Sequence, residues 1–144
     1  MMAEIKTDYI EKCLSSLELA NQHLQSYKST DDMYDIFRAA CTKEFELILE
    51  QAGKLLLKIL RPYFATKKEV DQLTFKDSFR YATKHGILTP EESERWLNYR
   101  DFRNETAHDY GDYLADRIIL ILPEFINDAK NFVKAVQKQN DSKT

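Results

Sequence analysis

The sequence predicts an all-α fold, an antiparallel helical bundle of about five helices with an up-and-down four-helix core. Three observations lead to this prediction. Apolar residues recur at helical spacing along most of the chain, for instance at Ile10, Leu17 and Leu24. Only three glycines and three prolines are present. No segment alternates strictly between apolar and polar residues between turn signals, so strands are not expected.

Length and composition place the chain in one domain. Its 144 residues match the size of one ordinary domain and can bury a substantial core. A hydrophobic fraction of 43% suits a compact helical protein and excludes the disordered, collagenous and low-complexity classes. We expect a single domain over residues 1–144, with a core from about residue 5 to residue 138 and a frayed C-terminal tail.

The charge balance limits the ligands that the chain can attract as a whole. Its formal net charge is −3, so it lacks the basic footprint of a nucleic-acid-binding protein. A role with nucleic acid would therefore rest on a local patch or on an assembled dimer. The chain begins with acidic and polar residues where a secretory signal would be apolar, and no apolar run is long enough to span a membrane. A cytoplasmic location without a membrane partner is expected.

The first two helices are expected to be long. The first should run from about residue 3 to residue 27, and the second from about residue 31 to residue 60. Ser29 or Thr30 can cap the second helix, and Pro62 marks its end because the residue before a proline disfavours helical geometry. Two long helices joined by a short loop should pack antiparallel. The expected core face of the second helix is Met33, Ile36, Phe37, Ala40, Phe45, Ile48, Ala52, Leu55, Leu56 and Ile59.

The middle of the chain carries clear helix start signals after a connection at residues 64–73. Thr74 can cap a short third helix, which Gly86 would end in the C′ position. The fourth helix has the clearest start in the chain. Thr89 is its N-cap and Glu92 completes a capping box, with a proline at the first helical position between them.

The last helix is expected to begin at Asp112, after a break at Gly111. Pro123 lies inside it and should kink it, because no amide remains there to bond the carbonyl of Ile119. The expected core face of this helix is Leu114, Ile118, Ile121, Leu122, Phe125, Ala129, Phe132 and Val136. Cys13 lies in the first helix and its counterpart Cys41 in the second, and both are expected to be small buried thiols.

The junction between the fourth helix and the last helix holds the residues best suited to chemistry. Arg103 has a planar guanidinium that can bind a phosphate through two parallel hydrogen bonds. His108 titrates near neutral pH and can give or take a proton. Tyr110 has a phenol that can donate to a phosphate oxygen or receive a transferred group. Charge, proton transfer and positioning are what phosphodiester chemistry requires.

Two further residues can support this set. Asn104 lies one helical turn before His108 and could orient its imidazole. Arg100 adds positive charge. The same residues could also be the polar end of a helix, because the helix dipole favours histidine and arginine near the C-terminus.

The spacing of Arg103, His108 and Tyr110 is R-x4-H-x-Y, the signature of HEPN domains. The chain resembles the HEPN branch of nucleotidyltransferase substrate-binding proteins over about residues 5 to 135, in three stretches of which the last contains the motif. These stretches are "FRAACTKEFELILEQAGKLLLKIL", "FKDSFRYATKHGIL" and "WLNYRDFRNETAHDY".

The resemblance implies a helical bundle that forms a homodimer, with motif residues of two chains lining a shared cleft. Members are commonly the ribonuclease toxin of an MNT/HEPN toxin–antitoxin pair, with tRNA among their substrates and no metal or other cofactor. The partner is a nucleotidyltransferase antitoxin, which in some systems attaches AMP to the motif tyrosine. The resemblance makes Arg103 and His108 catalytic residues, and Tyr110 both a site residue and the AMPylation target. It makes Asn104 a supporting residue.

The implied reaction is attack by the ribose 2′-hydroxyl on the adjacent phosphate. His108 would be a general acid or base, and Arg103 would stabilise charge on the phosphorane. Acidic residues around the motif oppose a polyanionic ligand, so RNA binding would draw on cations elsewhere or on the dimer. The acidic residues are Asp101, Glu105, Asp109 and Asp112. The candidate cations are Lys43, Lys54, Arg80 and Lys84.

Two alternatives remain for the same segment. Glu105, His108, Asp109 and Asp112 could offer mixed ligands to a metal, although one histidine without a second histidine or a cysteine pair is a weak signal. A stronger alternative is a non-catalytic subunit that docks a nucleotidyltransferase and binds its nucleotide or acceptor. The sequence leaves open whether the chain is an enzyme.

Overall fold

The computed structural model describes residues 4–105 and 112–141, and these ranges contain helices but no strand, which confirms the all-α prediction. The helices are α1 (Asp8–Leu24), α2 (Asp32–Leu60), α3 (Lys67–Asp71), α4 (Phe75–Lys84), α5 (Pro90–Glu105) and α6 (Asp112–Asp141). Helix α3 is additional to the five expected. A 3-10 turn at Arg61–Tyr63 follows α2. That the whole chain forms one domain stays a prediction.

Helices α2 and α6 run parallel. Near their N-termini, Arg38 of α2 is ion-paired with Asp116 of α6 at 2.9 Å. Further along both helices, the rings of Phe45 and Phe125 lie 4.6 Å apart. Matching contacts at increasing residue numbers on both helices require the same direction, so α2 and α6 run parallel.

Helix α1 runs antiparallel to α6, and therefore to α2. Glu18 of α1 forms an ion pair of 3.0 Å with Lys130 of α6. Ile5, just before α1, forms two backbone hydrogen bonds of 2.9 Å with the side-chain amide of Asn140. The predicted antiparallel packing of the first two long helices is confirmed. Helix α6 extends to Asp141, and the side-chain amide of Asn140 bonds Ile5 there, while the frayed tail stays a prediction.

The core is built around aromatic side chains. Trp96 is fully buried, and its ring lies 5.3 Å from Phe132, 5.6 Å from Phe125 and 5.7 Å from Phe79. Each buried aromatic or aliphatic side chain of this size contributes about 1.5–3 kcal/mol by burial. Predicted core residues that the structure buries are Ile10, Cys13, Leu17, Ala20, Leu24, Phe45, Ile48, Ala52, Leu55, Leu56, Ile59, Ile118, Leu122, Phe125, Ala129, Phe132 and Val136. The side chain of Leu114 lies outside the described part.

The predicted bounds of α1 are too wide. The helix begins at Asp8 rather than near residue 3, because the backbone groups of Ile5 bond the Asn140 side chain instead of a helical partner. It ends at Leu24, where the amide of Tyr27 bonds the carbonyl of Leu24 and tightens the chain into a turn.

The N-cap of α2 is Asp31 rather than Ser29 or Thr30. Its carboxylate accepts a hydrogen bond of 2.8 Å from the backbone amide of Met33. A carboxylate at this position satisfies an unpaired amide and also adds a favourable charge at the positive end of the helix. A hydroxyl cap offers only the first of these two effects.

Two residues predicted for the core of α2 are exposed instead. Met33 is 37% exposed and Ile36 is 57% exposed. Tyr34, Phe37 and Cys41 share the inward face here, at positions i, i+3 and i+7. This register turns Met33 and Ile36 outward.

Residues 64–73 are not only a connection, because they contain the short helix α3. Thr66 caps it by accepting a hydrogen bond of 3.2 Å from the amide of Glu69. Val70 is its single buried residue. A helix of five residues with one apolar contact has no periodicity that a sequence pattern could reveal.

The predicted helix signals around α4 and α5 are confirmed. Thr74 and Asp77 form a capping box at α4. Thr89 and Glu92 form the same pair of reciprocal bonds at α5, at 3.0 and 3.1 Å. Gly86 has a φ of 72°, the left-handed conformation that a C′ glycine provides after a helix. These caps fix where α5 begins and so where it carries its functional residues.

Several smaller predictions can also be compared with the structure. Cys13 and Cys41 are buried free thiols, as expected, and burial raises the pKa of the Cys41 thiol to about 11. Pro123 lies within α6, while the kink stays a prediction. The predicted break at Gly111 lies outside the described residues. None of the helices in the described ranges combines the length and apolar character needed to cross a bilayer.

Candidate functional site

The structure places three of the five predicted site residues on the last turns of α5. Arg100 and Arg103 are half-buried, and Asn104 is exposed. His108 and Tyr110 lie outside the described residues. Their geometry relative to Arg103 therefore stays a prediction, and the described parts of α5 and α6 show what holds the two sides of the motif.

Helix α5 is fixed to α6 by a buried carboxylate. Asp128 of α6 is 1% exposed and accepts hydrogen bonds from Arg95 of α5. Arg95 donates from Nε at 2.9 and 3.1 Å and from Nη2 at 2.9 Å. The hydroxyl of Tyr99, one turn further along α5, lies within hydrogen-bond distance of Asp128 and of Glu124. A buried carboxylate with these donors fixes both the register and the rotation of α5.

The electrostatics of this cluster raise the pKa values of Arg95 and Tyr99. Hydrogen bonding to Asp128 raises the pKa of the Arg95 guanidinium. Burial, with the hydrogen bond to Asp128, raises the pKa of Tyr99 well above its ordinary value of 10.0. Tyr99 is therefore a neutral donor at physiological pH, and Asp128 is matched by a permanent positive charge. We infer that the cluster is structural, because Arg95 stays charged and Tyr99 stays neutral near neutral pH.

The start of α6 is held from two sides. The guanidinium of Arg117 lies 4.8 Å from the ring centroid of Phe102 on α5, a cation–π contact. Arg38 of α2 binds Asp116 at 2.9 Å and Asp35 at 3.2 Å. The described contacts thus fix the end of α5 and the start of α6, which are the two flanks of the motif.

Arg100 projects toward α2 and α4. Its guanidinium lies 5.3 Å from the centroid of the Phe75 ring, and it lines a cavity of about 210 Å³ together with Lys54. Gly53 lets the Phe75 ring pack closely against α2, because a Cβ at this position would lie 3.1 Å from Cδ2 of Phe75. The sequence predicted Arg100 as a source of charge only, and it gave no signal for the contact with Phe75.

A second cavity, of about 500 Å³, lies between the N-terminal half of α2 and the start of α6. Its charged lining residues are the cations Arg38 and Lys43 and the carboxylates Asp35 and Glu46. Since Arg38 already binds two carboxylates, this cavity has no excess of positive charge to offer an anion.

The four cations predicted for RNA binding are dispersed. Lys54 shares a cavity with Arg100, while its ammonium pairs with Glu50 at 3.0 Å. Lys43 lines the cavity at α6 instead, and Arg80 is exposed on α4. The remaining one is Lys84, which lies over the Tyr81 ring at 5.8 Å. Among the cavities found in the described part of the chain, the one that contains a predicted site residue is lined by Lys54 and by none of the other three cations.

The metal alternative gains no support from the described residues. Within 4–105 and 112–141, no three histidine, cysteine, aspartate or glutamate side chains are grouped as metal ligands. His108 and Asp109 lie outside these ranges, so the set proposed from the sequence is not tested.

The described helices place the protein in the class of all-α helical bundles. Residues 6–138 match the family described as "Nucleotidyltransferase substrate binding protein like", and the chain belongs to this family. The match spans every helix from α1 to the C-terminal part of α6.

Two comparisons with individual proteins agree with this membership. The chain is 24% identical over 106 residues to the "Probable ribonuclease HepT" of Haemophilus influenzae, a stretch of 74% of this chain and 71% of that protein. It is also similar to the solved structure of HI0074 from Haemophilus influenzae, with a TM-score of 0.74 and 20% identity, over 90% of this chain and 98% of the other. That structure is described as revealing the fold of a substrate binding domain of a nucleotidyltransferase, and the likeness confirms the fold.

Proposed function

We propose that this chain is a metal-independent endoribonuclease of the HEPN type, with tRNA as its candidate substrate class. The observation that carries the proposal is the R-x4-H-x-Y motif at the junction of α5 and α6, where Arg103 lies on the last turn of a firmly anchored helix. The similarity to a protein named as a probable ribonuclease supports it. Membership in a substrate-binding family is compatible with it.

In the proposed reaction, the 2′-oxygen of a ribose forms a bond to the adjacent phosphorus and the bond to the 5′-oxygen breaks. His108 takes the proton of the 2′-hydroxyl or gives one to the leaving 5′-oxygen. Arg103 stabilises the negative charge on the phosphorane through charge-assisted hydrogen bonds. Tyr110 positions the phosphate, Asn104 orients the imidazole and Arg100 adds positive charge.

The proposal includes regulation by a nucleotidyltransferase. In this scheme the chain is the toxin of a toxin–antitoxin pair, and the partner transfers AMP to Tyr110. An adenylyl group would add a bulky anion within the cleft and repel RNA by charge and volume. Incubation with the nucleotidyltransferase and ATP should then add the mass of one AMP to the wild type and none to Tyr110→Phe.

A homodimer with a composite cleft also belongs to the proposal. Three large apolar side chains near the N-terminal halves of α2 and α6 are exposed: Met33 at 37%, Ile36 at 57% and Leu120 at 81%. The ion pair of Arg38 with Asp116 joins the two stretches that carry them. Exposed apolar groups on these two neighbouring stretches support a protein contact there.

The test is an RNA cleavage assay in EDTA. Wild type, His108→Ala and Asn98→Ala would be incubated with total tRNA, after mass spectrometry has established that Tyr110 is unmodified. Asn98 is a matched control, because it is exposed on the same helix and lies outside the motif. We expect cleavage by the wild type and by Asn98→Ala, and none by a folded His108→Ala.

A second candidate function is a non-catalytic subunit that docks a nucleotidyltransferase. The description of the matching family favours it. In that case neither the wild type nor His108→Ala would cleave RNA. Both would form a stable complex with a partner nucleotidyltransferase.

A further inference from the structure

A groove lies along the C-terminal half of α2 and begins beside Arg100. It consists of two adjoining cavities, of about 210 and 370 Å³, which share Lys54 and Leu57. The first lies against the start of α4 and Arg100, and the second lies against α3. We call this pair of cavities the α2 groove.

The α2 groove is positively charged, although the chain as a whole has a formal charge of −3. Five cationic and two acidic side chains line it. The cationic side chains are Lys54, Lys58, Arg61, Lys67 and Arg100, and the acidic side chains are Glu50 and Asp71. Both carboxylates form ion pairs, Glu50 with Lys54 at 3.0 Å and Asp71 with Lys67 at 2.7 Å. An excess of positive charge therefore faces solvent.

Three cations on α2 and at its C-cap are spaced to follow a chain of phosphates. Lys54 and Lys58 lie one turn apart on α2, and Arg61 is the C-cap residue, with helical backbone angles. At positions i, i+4 and i+7 they share a face and span about 10 Å along the helix axis. Lys54 and Lys58 are exposed, and their flexible stems allow the ammonium groups to adjust to a ligand. Arg61 is held in place by a hydrogen bond of 3.1 Å to the carbonyl of Phe64.

The floor of the groove is apolar. Leu55 and Val70 are nearly completely buried beneath it, and Leu57 and Leu73 are half-buried in its wall. Phe75 closes the end near Arg100, whose guanidinium lies 5.3 Å from its ring centroid. Cations above an apolar and aromatic floor are the combination that single-stranded nucleic acid requires, because phosphates meet charge while bases meet apolar surface.

Three other cavities lack this charge. The cavity at the start of α6 is balanced between two cations and two carboxylates. A cavity between α1 and α6 is also balanced, since Glu11 and Glu18 face Lys130 and Lys134. The cavity beside the N-terminal segment has more acidic than basic groups, with Glu4, Asp8 and Glu11 around Lys6.

We propose that the α2 groove binds the backbone of a single-stranded RNA and leads it to the motif. Arg100 would be the link, because it lines the groove and lies three residues before Arg103 on α5. The strand would pass Arg100 and continue along Lys54, Lys58 and Arg61. This inference rests on the proposed function, and it explains how an acidic chain with carboxylates around its motif could hold a polyanion.

The test is binding of a fluorescent, fully 2′-O-methylated single-stranded RNA, measured by anisotropy at several salt concentrations. The methyl groups prevent cleavage, so affinity is measured separately from catalysis. The variants are Lys54→Glu/Lys58→Glu and the milder Lys54→Gln/Lys58→Gln, which removes charge without introducing repulsion. Lys134→Glu is the matched control, because Lys134 is an exposed lysine on the α1–α6 side.

We expect Kd to rise at least about tenfold in Lys54→Glu/Lys58→Glu and to stay unchanged in Lys134→Glu. Loss of two phosphate contacts should also lower the slope of log K against log salt by about 1.4. Unchanged RNA affinity in both double variants would overturn the inference, and so would an absence of binding by the wild type. Loss of binding to the nucleotidyltransferase alone would show that the groove docks protein, which also overturns it.

The cleavage assay keeps this inference distinct from the proposed function. If the wild type cleaves tRNA while the groove variants bind RNA normally, the groove assignment is wrong and the ribonuclease assignment stands. If the wild type binds RNA through Lys54 and Lys58 but never cleaves it, the groove assignment stands and the ribonuclease assignment is wrong.

Discussion

Arg95 and Asp128, which are 33 positions apart in the chain, form a bidentate ion pair between α5 and α6. Nη2 of Arg95 lies 2.9 Å from Oδ1 of Asp128, and Nε lies 2.9 Å from Oδ2. The carboxylate is 1% exposed, whereas the arginine side chain is 35% exposed. The pair sets the position of α5, and α5 carries Arg103, so the site depends on a contact two turns away from it.

Replacing Asp128 should destabilise the fold strongly. Asp128→Ala leaves Arg95 without its partner and removes one of the two acceptors of the Tyr99 hydroxyl, so we expect the free energy of unfolding to fall by about 3 kcal/mol. Urea denaturation measures this. Asn127→Ala, at an exposed neighbour on α6, should change stability by less than about 0.5 kcal/mol. A loss below about 1 kcal/mol in Asp128→Ala would contradict the role assigned to the pair.

The N-cap of α5 offers a second stability test. Thr89→Ala removes the hydroxyl that accepts from the amide of Glu92 at 3.1 Å, and this should cost about 1 kcal/mol. Thr89→Ser keeps a hydroxyl and should retain most of the wild-type stability. Equal destabilisation by the two variants, measured by urea denaturation, would show that the methyl group matters rather than the hydrogen bond.

Local signals explain what the sequence could predict. The cap at Thr89 and the end at Gly86 depend on a few neighbouring residues, and both predictions are confirmed. The same reasoning placed Arg103 near the end of α5. Helix α3 was missed because its five residues bury only Val70.

Contacts between distant segments could not be predicted in this way. The pairing of Arg95 with Asp128 depends on how α5 packs against α6, which no local pattern encodes. One signal did exist, since Asp128 lies three residues after Phe125 and four before Phe132, on the apolar face of α6. A carboxylate on such a face requires a buried partner. The charge of the α2 groove could not be predicted from a local pattern either, because its cations come from α2, the 3-10 turn after it, α3 and α5.

The buried thiol of Cys41 should make stability fall at alkaline pH. Burial raises its pKa from 9.0 to about 11, so above pH 9 the unfolded chain loses a proton that the folded protein retains. Stability is therefore intact below pH 9 and should fall by about 2 kcal/mol as the pH rises to 11. Urea denaturation under reducing conditions measures the fall.

Cys41→Ala serves as the control for this pH effect. It removes the titrating group and leaves the tyrosines and lysines of the chain unchanged. The difference in stability between pH 8 and pH 11 should therefore be about 2 kcal/mol smaller in the variant. An identical pH dependence in the two proteins would contradict the assignment to Cys41.

The carboxylates beside the motif should weaken RNA binding. Asp101 is exposed on α5 between Arg100 and Arg103, so Asp101→Asn should lower the Kd for 2′-O-methylated RNA by about threefold at low salt. The gain should shrink as salt screens the charge. Glu94→Gln, two turns earlier on the same face, should have little effect. Equal gains in both variants would show that net charge matters rather than proximity to the motif.

The most direct test of the central claim is the chemistry of the RNA ends that the protein produces in EDTA. Wild type with unmodified Tyr110 would be incubated with total tRNA, and the 3′ ends of the upstream fragments would be determined by mass spectrometry. Attack by the 2′-hydroxyl predicts 2′,3′-cyclic phosphate ends from the wild type and no fragments from a folded His108→Ala. Intact tRNA, 3′-hydroxyl ends, or undiminished cleavage by His108→Ala would contradict the account.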